Sequence, residues 1–233
     1  LLLRESFIGK NFAVLEEIAA FSSNTSGIIG FVDRKTDSNN QDNNERTIAN
    51  AAAIVQNGDV RGIYHKSFLP NYSVFDEARY FSKGTNSDTL FWYDDIAIGI
   101  NICEDIWIED GPAEDQVKQG ASLIININAS PYDIQKNETR KELVMKKALK
   151  LNVPIIYLNM VGGQDELVFD GGSFVVNDLG EIIYQASSFQ EEVFHLDIDL
   201  KIKKQNSKSS LTTRPKTTEL KDVKSKPSLS ENE

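Results

Sequence analysis

One thiol stands where it could act as a nucleophile. Cys103, the only cysteine of the chain, directly follows the apolar segment 97–102, which predicts a buried strand. The segment 103–107 (CEDIW) then predicts a helical turn, so the thiol would lie in a sharp bend near backbone N–H groups that favour a thiolate. The N–H of Glu104 could help to bind an oxyanion there. A buried core cysteine is the alternative, and it is favoured when this feature is taken alone.

A lysine ends another predicted strand. Lys66 closes the segment 60–66 (VRGIYHK) and comes directly before the loop 67–87, which is rich in aromatic residues. At that position its ammonium group could hold a nearby thiol as thiolate and stabilise an oxyanion. An exposed lysine at a strand end is the alternative, and it is favoured when Lys66 is taken alone.

A cysteine nucleophile needs a base, and carboxylates near these two residues are candidates. They are Glu77, Glu104 and Asp105. A solvated surface charge is the alternative for each of them. Neither histidine has an obvious relation to Cys103, and strand alternation turns His65 to the face opposite that of Lys66. A Cys–Lys–Glu arrangement is therefore a candidate.

Composition excludes several classes of function. One cysteine and two histidines are too few for a zinc site, so we expect no metal. The net charge is −10, and nine basic and four acidic residues give the segment 201–233 a charge of +5, which leaves −15 for the rest. An acidic body argues against nucleic-acid binding. For 201–233 we expect a linker or disordered basic tail, with anion binding as the alternative.

The sequence also argues against a membrane protein. No apolar stretch approaches the ~20 residues that cross a bilayer. The segment 1–3 (LLL) is too short for the apolar core of a signal peptide, and Arg4 follows at once. A single cysteine fits a reducing compartment, so we expect a cytoplasmic protein.

Hydrophobic periodicity predicts helices that alternate with buried strands. The turn signal Asn57-Gly58 predicts a hairpin, although the preceding segment 46–56 is compatible with helix or strand. Polar residues 34–44 predict a surface loop, and the alternating segment 191–200 ends the predicted globular part. The pattern indicates an α/β fold with mixed sheets covered by helices. The other predicted elements are helices at 5–21 and 134–151, and strands at 27–33, 88–102 (two), 123–128, 154–160 and 169–186 (two).

Four segments, in this order, resemble blocks of the nitrilase or carbon–nitrogen hydrolase superfamily. They are 66–81 (KSFLPNYSVFDEARYF), 99–107 (GINICEDIW), 127–132 (INASPY) and 157–174 (YLNMVGGQDELVFDGGSF). More narrowly, they resemble the glutaminase domain of glutamine-dependent NAD synthetases. The resemblance extends over about residues 1–200, which we expect to form one domain.

The resemblance implies a fold and a set of site residues. The fold is a four-layer αββα sandwich, and the site is a Glu–Lys–Cys triad in which Cys103 is the nucleophile and Lys66 the lysine. Further positions carried over by the resemblance are Tyr72 and Glu77 on the loop near the glutamine pocket, Glu104 at the oxyanion, Ser130 in contact with substrate, and Phe169 and Asp170 at the border of the site.

The same resemblance implies parts outside this sequence. In the family, the general-base glutamate and the first strand precede a stretch similar to 1–7 (LLLRESF). In this sequence, no SGGxDS-like synthetase block follows residue 200. We therefore expect a chain truncated at both ends and nearly inactive by itself, because loss of a general base costs about 10²–10⁴-fold. The glutamine step is expected to need no cofactor, whereas ATP, Mg²⁺ and deamido-NAD belong to the synthetase domain. A homo-oligomer is expected.

Two other functions stay open. A stand-alone amidase or nitrilase of the same superfamily would share Cys103 and Lys66 and act on another amide or nitrile, but the segments 66–81 and 157–174 argue against it. A catalytically inactive fragment that serves as a binding module is the second alternative, and the absent glutamate favours it.

Overall fold

The computed structural model describes residues 1–201 except 24, 36–46, 73, 86 and 88. Most of the predicted loop 34–44 and all but the first residue of the predicted tail 201–233 therefore lie outside the described residues. No described helix is both long and apolar enough to cross a membrane.

The described chain forms three helices and eleven strands. The helices are α1 (Glu5–Ala20), α2 (Pro112–Lys118) and α3 (Lys136–Leu151). The strands are β1 (Ser26–Lys35), β2 (Thr47–Gln56), β3 (Asp59–His65), β4 (Leu90–Tyr93), β5 (Ile96–Ile102), β6 (Leu123–Asn128), β7 (Ile155–Asn159), β8 (Val161–Gln164), β9 (Leu167–Asp170), β10 (Phe174–Val176) and β11 (Ile182–Gln185). Two short 3₁₀ turns are Glu77–Arg79 and Cys103–Trp107.

The strands form two large sheets and one hairpin. The first sheet is antiparallel in the order β1-β2-β3, and the second has the order β11-β10-β7-β6-β5-β4, with β5, β6 and β7 parallel. The hairpin consists of β8 and β9. Because α2 links β5 to β6 and α3 links β6 to β7, the carboxyl ends of these three strands meet at one edge. Ligands bind at such edges in open α/β sheets.

The apolar faces of these elements stack into four layers. Helix α1 covers the outer face of the first sheet, where Leu15 belongs to the same cluster as Phe31. The inner faces of the two sheets meet in a cluster that contains Ala52, Ile54, Tyr64, Ile100, Ile102 and Cys103. Helix α3 covers the outer face of the second sheet, where Val144 clusters with Ile155. This succession confirms the αββα sandwich.

Most predicted elements are confirmed, and the differences have physical causes. The ambiguous segment 46–56 is strand β2, because it pairs with β1 on one side and β3 on the other. The hairpin β8–β9 was not predicted, because glycines at 162 and 163 are poor strand formers. The segment 191–200 forms no strand despite its alternation, since it has no ladder partner within the described part of the chain.

Candidate active site

Cys103 occupies the predicted bend. It follows the last residue of β5 and is the first residue of the 3₁₀ turn, with a left-handed φ of 46°. A non-glycine residue in this region costs about 1–3 kcal/mol and persists only where its surroundings enforce it. The side chain is buried between the two sheets. The backbone thus directs the thiol inward from the edge where β5, β6 and β7 end.

The thiol is protonated at neutral pH. Burial raises the pKa of Cys103 to about 11, and it outweighs the nearby Lys66 ammonium, which acts in the opposite direction. The carboxylates of Glu77 and Glu104 raise this pKa further. The shift is opposite to the one that the bend alone led us to expect, because desolvation of the thiolate is larger than the attraction of the nearby cation. Reaction at neutral pH therefore requires a base.

Lys66 and Glu77 form a buried ion pair beside the thiol. The Nζ atom of Lys66 donates to both carboxylate oxygens of Glu77, at 2.7 and 2.8 Å. The side chain of Lys66 is 0% exposed and that of Glu77 is 20% exposed. Lys66 is therefore not an exposed strand-end residue, and Glu77 is not a solvated surface charge. Glu77 is the first residue of the 3₁₀ turn Glu77–Arg79, and after this turn the loop returns to the end of β3, where the N–H of Gly84 donates to the carbonyl of Lys66 at 2.8 Å.

Asp105 faces away from solvent and toward backbone amides. Its Oδ1 atom accepts from the N–H groups of Ser67 (3.1 Å) and Phe68 (2.9 Å). Its Oδ2 atom accepts from the N–H of Ile102 (3.0 Å) and the hydroxyl of Tyr64 (2.8 Å). The carboxylate is fully buried. Of the three candidate carboxylates, this one is neither a surface charge nor a base directed at the thiol.

Tyr72 and Glu104 meet at the exposed rim. The Tyr72 hydroxyl donates to both carboxylate oxygens of Glu104, each at 2.9 Å. Partial burial and the Glu104 carboxylate raise the pKa of Tyr72 to about 12. The ring of Tyr72 packs edge-on against Phe75, with centroids 5.9 Å apart. These side chains form one wall beside the turn that carries Cys103.

Lys136 is a site residue that sequence reasoning missed. Its Nζ atom lies 5.5 Å from the centroid of the Phe75 ring. Burial lowers the pKa of Lys136, and Arg140 lowers it further, whereas Cys103 and Glu104 act in the opposite direction. Lys136 is the first residue of α3, where the helix dipole disfavours a cation. That unfavourable position was the available signal in the sequence.

Ser130 and Asp170 belong to a buried network that Arg140 holds together. Arg140 donates to both oxygens of Asp170, at 2.8 and 3.0 Å. It also donates to the carbonyl and the hydroxyl oxygen of Ser130, at 2.9 and 3.1 Å, and to the carbonyl of Pro131. Phe169 is buried beside Asp170 on β9. None of the described hydrogen bonds joins Ser130, Phe169 or Asp170 to the thiol, so the structure does not bring these three predicted residues into contact with Cys103 through polar groups.

The described residues contain no group of three or more histidine, cysteine, aspartate or glutamate side chains that could hold a metal ion. Two surface cavities, of about 510 and 400 Å³, are lined largely by residues of α1, β1 and the segment 78–82. Neither is lined by Cys103 or Lys66. The candidate active site is therefore identified from its polar contacts and does not coincide with either of these cavities.

Known proteins share the sequence pattern of this chain. The sequence profile of the family described as "Carbon-nitrogen hydrolase" matches residues 12–204. A glutamine-dependent NAD(+) synthetase of Thermotoga maritima is 41% identical over 203 residues, which are 86% of this chain and 33% of that protein. A glutamine-dependent NAD(+) synthetase of Aquifex aeolicus is 42% identical over 156 residues, which are 67% of this chain and 27% of that protein. The chain thus spans about a third or less of the length of these relatives.

Solved structures show the same likeness. The glutamine-dependent NAD+ synthetase of Acinetobacter baumannii, in complex with adenosine diphosphate, superposes with a TM-score of 0.73 at 36% identity, covering 82% of this chain and 34% of that one. A carbon-nitrogen hydrolase of Helicobacter pylori superposes with a TM-score of 0.70 at 21% identity, covering 81% and 69%. The second likeness concerns the fold alone.

Proposed function

The chain belongs to the carbon-nitrogen hydrolase family, and on this premise we propose that it hydrolyses the side-chain amide of glutamine as the ammonia-supplying part of a glutamine-dependent NAD synthetase. The observation that carries the proposal is the buried Lys66–Glu77 pair next to the Cys103 thiol. A buried cation beside a nucleophile in a strained bend is an arrangement suited to acyl transfer. The names of the relatives that are more than 40% identical support glutamine as the amide.

The reaction begins with loss of the thiol proton to a general base, for which the family resemblance implies a glutamate. The Cys103 sulfur attacks the amide carbon, and the carbonyl π electrons move onto the oxygen. Lys66 and the N–H of Glu104 stabilise this oxyanion. When the tetrahedral intermediate collapses, the C–N bond breaks and ammonia leaves with the proton from the base. Water then hydrolyses the γ-glutamyl thioester, which releases glutamate and restores the thiol.

The remaining site residues have supporting roles in this proposal. Tyr72 and Glu104 form the rim over which the substrate enters. Ser130 borders the substrate, with its position fixed by Arg140. Phe169 and Asp170 form the adjoining wall, where the charge of Asp170 is neutralised by the same arginine.

Partners follow from the same proposal. The glutamine step requires no metal or cofactor. In this proposal ATP, Mg²⁺ and deamido-NAD act at the synthetase domain of the complete enzyme, to which the released ammonia passes. We expect the enzyme to be a cytoplasmic homo-oligomer.

The proposal is tested by Cys103→Ala in the complete protein that carries this chain. NAD formation from deamido-NAD and ATP is measured with glutamine and, separately, with ammonium as nitrogen donor. We expect glutamine-dependent formation to be abolished and ammonium-dependent formation to be retained. Unchanged use of glutamine would contradict the proposal. Hydrolysis of other amides or nitriles in preference to glutamine, by the unmodified protein, would favour the stand-alone amidase.

A further inference from the structure

The two reactive residues of the proposed site come from different sheets. Lys66 directly follows β3 of the first sheet, and Cys103 directly follows β5 of the second. No ladder hydrogen bonds join the two sheets, and the described sheets meet through apolar side chains. Apolar packing is non-directional and does not by itself fix two strand ends to a fraction of an ångström. A directional contact between the strand ends is therefore needed.

Asp105 provides that contact. Its Oδ1 atom binds the two N–H groups that directly follow Lys66, those of Ser67 and Phe68. Its Oδ2 atom binds the N–H of Ile102, which directly precedes Cys103. The Tyr64 hydroxyl, from within β3, also donates to Oδ2. One carboxylate thus holds both strand ends, with each oxygen bound to two donors.

From this geometry we propose that Asp105 is a positioning residue that keeps the Cys103 thiol and the Lys66 ammonium in register across the interface between the two sheets. The inference rests on the proposed thiol chemistry and extends it. Asp105 touches neither substrate nor the reacting atoms, because all four of its contacts are to the protein and it is fully buried.

Only an ionised carboxylate satisfies all four donors. An asparagine would place an NH₂ group at one of the two oxygen positions. There it would face either the N–H groups of Ser67 and Phe68 or that of Ile102, and two donors cannot bond to each other. The amide would therefore release one strand end while it keeps the shape of the side chain. A displacement of about 1 Å at a reacting centre costs about 100-fold in rate.

Protonation would have the same consequence. Burial raises the pKa of Asp105 to about 6, against the hydrogen bonds from Ile102, Phe68 and Tyr64 and the Lys66 ammonium, which lower it. Because the folded pKa lies above the ordinary value, this group adds stability as the pH falls through 6. Protonation of Asp105 should lower turnover below about pH 6, because a strand end is released. It should not by itself unfold the protein.

The experiment compares Asp105→Asn with Glu114→Gln in the complete protein. Glu114 is a matched control because it is a buried carboxylate that binds Lys147 and a backbone N–H in the outer layer, away from the thiol. We expect Asp105→Asn to lower kcat for glutamine about 100-fold with KM changed less than about threefold. Glu114→Gln should leave kcat per folded molecule within about threefold. Equal kcat values for Asp105→Asn and the unmodified protein would overturn the proposal.

Tyr64→Phe keeps the proposal testable if Asp105→Asn fails to fold. It removes one donor of the four and keeps the ring in its cluster. We expect a fall in kcat of about tenfold or more, since one hydrogen bond to a charged carboxylate is lost. An unchanged kcat in this variant would contradict the proposed positioning role of Asp105.

A second readout does not depend on glutamine. Iodoacetamide alkylation of Cys103 is followed against pH, and its midpoint reports the pKa of the thiol. In Asp105→Asn the midpoint should rise, because the Lys66 ammonium that lowers this pKa is no longer held beside the thiol. An unchanged midpoint in Asp105→Asn would refute the positioning role of Asp105 even if glutamine proved not to be the substrate. If the unmodified protein did not hydrolyse glutamine but Asp105→Asn still raised the midpoint, only the proposed function would be refuted.

Discussion

Two buried pairs of lysine and glutamate lie on opposite sides of the second sheet. In the first, Lys66 donates to both oxygens of Glu77 at 2.7 and 2.8 Å. In the second, Lys147 donates to both oxygens of Glu114 at 2.9 and 3.1 Å. The local chemistry of the pairs is nearly identical, so their different roles must come from their surroundings.

The first pair lies next to a thiol and reaches water. Glu77 is 20% exposed, and both members of the pair act on the pKa of Cys103. The second pair joins α3 to the start of α2, and Lys147 also donates to the carbonyl of Ile108 at 2.7 Å. Burying an ion pair brings little net stability in general. The first pair therefore changes the pKa of the proposed nucleophile, whereas the second pair connects two helices.

The largest effect on turnover is expected for Lys66→Met. The side chain keeps its length and loses the cation proposed to stabilise the oxyanion, so kcat for glutamine should fall about 100-fold to 1,000-fold. The free energy of unfolding should fall less than in Lys147→Met, because Glu77 left alone is partly hydrated. Steady-state kinetics and thermal unfolding of the complete protein measure both. A kcat within about tenfold of the unmodified value would remove Lys66 from the catalytic group.

A smaller effect is expected for Glu77→Gln. The amide keeps one acceptor for Lys66 and loses the charge that fixes the ammonium, so kcat should fall about 10-fold to 100-fold. At the same time the pKa of Cys103 should decrease from about 11, because Glu77 raises it. Alkylation against pH checks the second statement. A pKa that rises in this variant would show that Glu77 acts mainly by holding Lys66 close to the thiol.

The smallest effect on turnover is expected for Lys147→Met. This variant leaves the Glu114 carboxylate buried, and breaking a buried pair costs about 3–5 kcal/mol. Lys150, whose Nζ atom is 3.9 Å from Glu114, should bring the loss toward the lower end of that range. Activity per folded molecule should stay within about threefold. Urea unfolding gives the stability, and a large loss of kcat without destabilisation would erase the contrast between the two pairs.

The sequence anticipates the elements better than the contacts. Strands such as β6 were predictable because a short apolar run is bounded by turn signals, and the bend at Cys103 followed from the strand before it. The orientation of His65 also followed from strand alternation. Its Nε2 atom lies 2.6 Å from the Oδ2 atom of Asp33, on the face opposite Lys66. These properties depend on neighbours in the chain.

Long-range polar contacts were not predictable in the same way. From the sequence Asp105 was one of three candidate bases, with a surface charge as the alternative. Its actual role was not predictable, because its four donors come mainly from residues about 40 positions away in the chain. Arg140 was not singled out from the sequence, although it is almost fully buried between Ser130 and Asp170. Periodicity marks apolar faces, but it does not show which charged residue is paired inside.

The most direct test of the account is the labelling of Cys103 at neutral pH in the complete protein, with iodoacetamide and with a diazoketone analogue of glutamine. The pKa of about 11 predicts slow reaction with iodoacetamide. The analogue should label Cys103 faster than it labels a free thiol, with protection by glutamine and loss of the reaction in Lys66→Met. Labelling by the analogue no faster than that of free cysteine, or unaffected by glutamine, would contradict the assignment of this site as a glutamine-hydrolysing centre.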